Sequence, residues 1–125
     1  MIEILYTGGT IGWDAAKHRQ LPLEELLQKL APVIQEKYPD LDIRYSSCDL
    51  EHWEEDAFWK LKKAEGIVVL FGTDWLASSM AHFDYACENI SKAVIGTGSM
   101  IPIFQEKTDA YRNVIDSIQT SFNIL

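Results

Sequence analysis

Residues 67–71 read IVVLF, an unbroken apolar run of mostly β-branched residues in a chain of 125. A strand with one face in water would alternate polar and apolar side chains, so this run is typical of a strand covered on both faces, as in a parallel sheet. Three other β-rich runs predict the remaining strands: residues 2–7, 43–47 and 93–96. Residues 42–45 do alternate, which indicates a position nearer a sheet edge.

Longer segments of helical periodicity separate these runs and predict four helices: residues 22–38, 53–64, 76–90 and 111–118. Pro22 suits the first position of a helix, whereas Pro32, inside the first segment, predicts a kink or a break. Residues 121–125 begin where a fifth strand would be expected. Strands that alternate with helices over short connections predict a single α/β domain across residues 1–125. The expected fold is three-layered and flavodoxin- or Rossmann-like, a parallel sheet of about four strands flanked by helices.

Composition and charge exclude several classes of protein. The formal net charge of -8, with no long basic stretch, would repel DNA, so no nucleic-acid partner is expected. The sequence has no run of about 18 apolar residues that would predict a membrane span, and its first residues are typical of a strand and not of a signal peptide. Cys48 and Cys87 are too few for a disulfide framework, so we expect reduced thiols and a cytoplasmic location.

Small and hydroxyl-bearing residues follow each predicted strand: TGGTIG at 7–12, SS at 46–47, GTD at 72–74 and TGSM at 97–100. Because ligands of open α/β sheets bind at the carboxyl ends of the strands, we expect these loops to form one rim. The first loop lacks the glycine spacing of a dinucleotide fingerprint. A lone threonine in a glycine-rich turn is more often structural, but a neighbouring loop places Thr73 beside Asp74. That pairing favours Thr10 as a hydroxyl nucleophile with a proton acceptor within reach.

Other reactive or bulky side chains suggest weaker sites. His52 has three acidic neighbours in the sequence: Asp49, Glu51 and Glu54. A solvated acidic helix start is favoured there over a metal site, and no metal is expected. Cys48 has no evident histidine partner, so a thiol nucleophile is disfavoured. Three aromatic residues most simply supply core and interface bulk: Trp53, Phe58 and Trp59.

The motifs of the chain fall in a recognisable order: LYTGGTI at 5–11, the serine pair at 46–47 followed by Trp53, GTD at 72–74, and GSMIP at 98–102 followed by Asp109, Ala110 and Asn113. Together they resemble the motifs of bacterial-type L-asparaginases and glutaminase-asparaginases, over nearly the whole chain. The resemblance implies a parallel sheet with strand order 2-1-3-4. It also implies an amino-acid substrate and no cofactor.

The resemblance implies a role for each matching residue. Thr10 would attack the side-chain amide carbon of L-asparagine, or of a related ω-amide, to form an acyl-enzyme that water hydrolyses to L-aspartate. Thr73 would be a second essential hydroxyl coupled to Asp74, which also holds the α-amino group of the substrate. Ser46 would contact the α-carboxylate, and Ser47 would take the place of a polar neighbour. The other substrate-binding residues implied are Gly9, Gly72 and Ser99.

Some features of that family are missing from this sequence. The family completes a Thr–Asp–Lys set with a lysine on a later strand, which would lie beyond residue 125, and adds a smaller carboxyl-terminal domain. Its lid usually presents a tyrosine, whereas residues 13–21 offer only Lys17 or His18 as ionisable substitutes. Trp75 stands where a threonine is usual.

Three interpretations follow from these matches and gaps. The leading one is an L-asparaginase-like amidohydrolase that works as a homo-oligomer. The second is a truncated, catalytically weak or inactive domain that binds an aspartate-like ligand or a protein partner. The third is an interaction subunit that receives the missing strand and lysine from another chain.

Overall fold

The structure is a computed structural model that describes residues 1–72 and 92–124. The strands in these residues are β1 (Ile2–Tyr6), β2 (Trp13–Asp14), β3 (Arg19–Gln20), β4 (Ile43–Ser47), β5 (Gly66–Leu70) and β6 (Ala93–Thr97). The helices are α1 (Leu23–Lys37), α2 (Trp53–Lys60) and α3 (Ala110–Ile124), and a 3-10 turn covers Thr10–Gly12. The helix predicted over residues 76–90 lies outside the described residues.

Four of the strands form a parallel sheet in the order β4-β1-β5-β6. The four predicted strands are β1, β4, β5 and β6 in chain order, so this arrangement is the predicted strand order 2-1-3-4. The predicted α/β fold is also confirmed. Every residue of β1 and β5 is buried, as the unbroken apolar run of β5 predicts, whereas residues 42–45 alternate between exposed and half-buried and β4 lies at an edge of this sheet. Each helix in the described part of the chain is too short or too polar to cross a bilayer.

The two faces of the sheet carry separate apolar cores. On one face, side chains such as Ile4 and Val68 pack against α1 and α3, which contribute Leu30 and Val114. The opposite face packs against α2, where the ring of Trp53 meets that of Phe71 edge-on with centroids 4.7 Å apart. Burial on both sides fixes the central strands and therefore the loops that leave their carboxyl ends.

Helix α1 corrects two predictions from its prolines. The helix runs through Pro32 without a break. Pro32 removes the N–H partner of the Gln28 carbonyl, but both residues are exposed, so water can solvate that carbonyl. Pro22 is the cap before the helix and not its first residue, and its carbonyl accepts from the Leu26 N–H at 3.1 Å.

The chain end and the second helix also differ from prediction. Residues 121–124 continue α3 and do not begin a fifth strand, because Ser121 falls on the same buried stripe as Val114 and Ile118. Helix α2 ends at Lys60, before the predicted residue 64.

The aromatic residues of α2 divide between core and surface. Trp53 is buried, as predicted, together with Ala57 and Leu61 one and two turns later. Phe58 and Trp59 are 43% and 58% exposed and do not supply the core, contrary to that part of the prediction.

Candidate active site

The loops after β1, β5 and β6 meet at the carboxyl edge of the sheet. Thr7 caps the end of β5, because its N–H and its hydroxyl both donate to the Leu70 carbonyl, at 3.0 and 2.7 Å. The Phe71 N–H then donates to the Thr97 carbonyl at 2.8 Å, which joins β5 to β6. Three of the four loops expected at the rim therefore lie side by side.

Gly9 lets the first loop touch the third, and Gly98 lets the fourth loop touch the third. Gly9 has a φ of 96°, and a Cβ there would lie only 2.5 Å from the Gly72 Cα and 2.8 Å from the Phe71 carbonyl carbon. A Cβ on Gly98 would likewise overlap the Phe71 carbonyl oxygen. The bare Cα of Gly9 thus places the turn that carries Thr10 directly against the loop that begins at Gly72.

Thr10 opens the 3-10 turn and is half-buried. Within residues 1–72 and 92–124, its hydroxyl has no hydrogen-bond partner, and the backbone N–H groups of Gly8, Gly9 and Thr10 donate to no other residue. Gly8 and Gly9 both have positive φ, at 108° and 96°, a backbone conformation that glycine adopts at little cost. Among the described residues, the turn thus leaves a hydroxyl and three N–H donors open to a ligand.

The β2–β3 hairpin, which follows this turn, is anchored to the end of β1. The Tyr6 hydroxyl lies 2.9 Å from Gln20 Oε1 and 3.0 Å from the Leu21 carbonyl, and can donate to either. The Leu21 N–H donates to the Gly12 carbonyl at 2.7 Å, and a Cβ on Gly12 would lie 2.8 Å from Tyr6 Cζ. Burial raises the pKa of Tyr6 to about 12, so the hydroxyl remains a donor at neutral pH.

Sequence reasoning missed Tyr6 and Gln20. Tyr6 ends a strand that is otherwise wholly apolar apart from Glu3, and a buried tyrosine hydroxyl needs a hydrogen-bond partner. This need for a partner was the signal in the sequence that could have identified Tyr6. The partner itself comes from the hairpin. Each strand of the hairpin has only two residues, too few to form a pattern that could be recognised in the sequence.

The two predicted serines of β4 differ in surroundings. Ser46 is half-buried, and its hydroxyl donates to Oε1 of Glu3 across the strand pair at 3.0 Å. Glu3 is 5% exposed, and its Oε2 has no hydrogen-bond partner within residues 1–72 and 92–124. Ser47 is exposed at the last position of β4, beside Tyr6 in register.

Ser99 is buried inside the loop after β6, where its hydroxyl donates to the Ile101 carbonyl at 2.8 Å. Asp109 closes the same loop by accepting from the Met100 and Ile101 N–H groups. Burial opposes ionisation of Asp109, but these backbone hydrogen bonds outweigh it and lower the pKa of its carboxyl. Asn113 bonds Asp109 and the Gly98 carbonyl, so this motif builds the loop and holds the Ser99 hydroxyl inward.

The remaining candidates lie elsewhere or outside the described residues. Thr73, Asp74 and Trp75 fall outside residues 1–72 and 92–124. Lys17 and His18 are exposed in the connection between β2 and β3, where His18 adopts a positive φ of 48°.

Two weaker candidates have ordinary explanations in the structure. His52 is exposed just before α2, with its Nδ1 2.6 Å from Oδ1 of Asp49, and this hydrogen bond raises the pKa of His52. Burial, and then the nearby Asp56 carboxylate, raise the pKa of Cys48 to about 11, which disfavours a reactive thiolate. The described part of the chain contains no group of three His, Cys, Asp or Glu side chains arranged to hold a metal ion.

Comparisons with known proteins agree on one family. The family model for the amino-terminal domain of asparaginase matches residues 1–123. L-asparaginase 1 of Escherichia coli K12 is 30% identical over 136 aligned residues, covering 98% of this chain and 40% of that protein. An L-asparaginase of Thermococcus kodakarensis is 33% identical over 127 residues, covering 89% of this chain and 37% of that protein. The chain thus spans about two fifths of the length of these curated relatives.

Solved structures show the same fold. The thermostable L-asparaginase of Thermococcus kodakarensis superposes with a TM-score of 0.77 at 24% identity, covering 99% of this chain and 41% of that one. L-asparaginase I of Vibrio cholerae gives 0.77 at 24% identity, covering 96% and 40%. The "Probable Cytoplasmic L-asparaginase" of Campylobacter jejuni gives 0.74 at 20% identity, covering 96% and 41%.

Proposed function

Because this chain belongs to the asparaginase family, whose amino-terminal domain it matches over residues 1–123, we propose that it carries the nucleophile side of an L-asparaginase-type amidohydrolase site. The observation that supports this most is the contact between Gly9 and Gly72. It holds the turn of Thr10 against the loop that continues into Thr73 and Asp74. A hydroxyl nucleophile needs a proton acceptor on a neighbouring element, and this contact brings the two loops within reach.

In the proposed reaction, the Thr10 Oγ attacks the carbonyl carbon of an ω-amide. A C–O bond forms, the C–N bond breaks, and the proton lost by Thr10 is delivered to the leaving nitrogen, which departs as ammonia. Thr73 and Asp74 are the groups to which we assign this proton transfer, completed by the lysine that the family places on a later strand. Water then adds to the ester carbon, releases the carboxylic acid and returns a proton to Thr10.

The proposed substrate is L-asparagine or a related ω-amide of an amino acid. We assign the α-amino group to Asp74 and the anionic oxygen atoms to the N–H groups of Gly8, Gly9 and Thr10, which have no partner among the described residues, because an ionised ligand is held best by oppositely polarised groups. Ser47 is exposed at the rim, whereas the proton of Ser46 is donated to Glu3. Ser47 is therefore the better placed of the two to donate to the ligand. No cofactor takes part in this scheme.

We further propose that the protein acts in the cytoplasm and as a homo-oligomer. The name of the Campylobacter jejuni relative supports the first proposal. The second is an expectation from the sequence, since β4 and β6 end the sheet as described and strand edges need a cover.

The test is ammonia release from L-asparagine by the purified chain and by Thr10→Ala. Loss of the nucleophile should lower the rate by at least about 100-fold. Thr120→Ala is a matched control, because Thr120 is exposed on α3 and its hydroxyl bonds only the Asp116 carbonyl of its own helix among the described contacts. Equal rates in the parent and in Thr10→Ala, both above a blank without protein, would contradict the nucleophile assignment. No release by the parent above that blank would favour the alternative, a domain that binds an aspartate-like ligand without hydrolysis.

A further inference from the structure

Gln20 is the residue of the hairpin that reaches back over the nucleophile turn. It pairs with Trp13 in the β2–β3 ladder, and its Oε1 lies 2.9 Å from the Tyr6 hydroxyl. One hydrogen bond therefore ties the carboxamide of this exposed residue to the end of the central strand β1.

Two glycines of the turn allow the carboxamide to approach. A Cβ on Gly8 would lie 3.8 Å from both Cδ and Oε1 of Gln20, and a Cβ on Gly12 would lie 3.3 Å from the same Oε1. The Gln20 carboxamide thus lies across the turn formed by residues 8–12, whose middle residue is Thr10.

The hydrogen bond from Tyr6 determines which end of the carboxamide is available. When Oε1 accepts from the tyrosine, the two hydrogens on Nε2 have no partner within residues 1–72 and 92–124. The nearby N–H groups of Gly8, Gly9 and Thr10 are also without partners there. The Gln20 carboxamide lies beside this turn, and N–H donors of this kind bind an anionic oxygen.

We propose that Gln20 is a ligand-binding residue of this site, which donates from Nε2 to an anionic oxygen of the amino-acid ligand, and that Tyr6 is its positioning residue. The inference rests on the proposed function for the identity of the ligand. It adds a specificity-determining contact from the hairpin. The sequence had offered only Lys17 or His18 in this segment, as ionisable substitutes for a tyrosine.

Binding of L-aspartate, the product of the proposed reaction, separates this role from a structural one. Isothermal titration calorimetry would compare the parent with Gln20→Glu, Gln20→Ala and Tyr6→Phe, each with its thermal midpoint. Gln20→Glu keeps an acceptor for the Tyr6 hydroxyl but replaces the donor with a negative charge, so we expect Kd to rise by about tenfold or more with little change in the midpoint. Gln20→Ala should raise Kd by a similar factor, and Tyr6→Phe by a smaller one.

Gln35→Glu is the matched control, because it makes the same change in charge at an exposed position of α1 and should leave Kd unchanged. An unchanged or lower Kd in Gln20→Glu would overturn the proposal, since a structural Gln20 would tolerate glutamate and a residue facing the ammonium would prefer it. Failure of the parent itself to bind L-aspartate would also overturn it. The nucleophile assignment would still be tested separately, by comparing ammonia release by the parent and by Thr10→Ala.

Discussion

Glu3 is the most unusual single residue of the core. Its side chain is 5% exposed in a central strand, and one of its two carboxyl oxygens has no partner in the part of the chain that the structure describes. The other oxygen accepts the hydroxyl of Ser46, so a residue assigned to the ligand by resemblance has a structural partner inside the sheet. Removing one partner of a buried hydrogen bond lowers the free energy of unfolding more than replacing both partners with apolar groups does.

A double-mutant cycle tests this pair. Ser46→Ala should lower the free energy of unfolding by about 1 to 3 kcal/mol, because it leaves the Glu3 carboxyl without any hydrogen bond. Adding Glu3→Leu should recover most of that loss, because apolar side chains then replace both partners on a face that is otherwise apolar. Urea denaturation of the single and double variants measures the difference. Additive losses would show that the two side chains do not depend on each other.

Gly8 and Gly9 allow the cost of an unfavourable backbone conformation to be separated from the cost of steric overlap. Both have positive φ, but a Cβ on Gly8 would have no described neighbour closer than 3.8 Å, whereas one on Gly9 would overlap the Gly72 backbone. Gly8→Ala should therefore cost about 1 to 2 kcal/mol of unfolding free energy from conformation alone. Gly9→Ala should cost clearly more and should abolish ammonia release, because the two loops must separate. Equal losses in urea denaturation would show that the contact with Gly72 is not tight.

At the scale of elements, Pro32 is a defect that α1 tolerates because it faces water. Pro32→Ala restores an N–H to the helix interior and a side chain of high helix propensity, so the free energy of unfolding should rise by about 1 to 3 kcal/mol. Pro39→Ala, outside the helix, is the control and should give no gain. Thermal and urea denaturation would report both, and a less stable Pro32→Ala would mean that the proline fits a bend the helix needs.

The elements show where sequence patterns were sufficient. The run IVVLF predicted a doubly covered central strand because burial on both faces removes any need for alternation, and β5 confirms it. The extension of α3 was missed because its buried stripe passes through Ser117 and Ser121, small polar residues that do not look like core. Phe58 was assigned to the core for the opposite reason, since the small Ala57 occupies the buried position that a large residue was expected to fill.

The same limit applies to the candidate site. The rule that ligands bind at the carboxyl ends of strands was enough to predict that the loops after β1, β5 and β6 meet. The hydroxyls of Ser46 and Ser99 could not be assigned from sequence, because their partners, Glu3 and the Ile101 carbonyl, are set by strand register and loop path. Thr73 and Asp74 lie outside the described residues, so their roles remain predictions.

Across the whole molecule, the charge is unevenly placed. The net charge is -8, which disfavours the approach of an anionic ligand over most of the surface. A cavity of about 310 Å³ between the hairpin and α1 is lined by three cationic side chains, from Lys17, Arg19 and Lys29. Two carboxylates also line it, and one of them, Glu25, pairs with Arg19 at 2.9 Å. The surface beside the hairpin is therefore less negative than the net charge suggests.

The joints of the rim are made by the main chain. Thr7 to Leu70, Phe71 to Thr97, and Ile103 to Ile11 are all bonds from a backbone N–H to a backbone carbonyl. These three bonds do not depend on side-chain identity, whereas Gly9, Gly98 and Asp109 hold loops of the rim and must be kept. At the other rim positions, descendants of such a domain can lose a reactive group, or acquire another, without first losing their shape. For protein engineering, libraries of side chains at those positions, such as Thr10 and Ser47, can be searched for new reactivity with little risk to the scaffold.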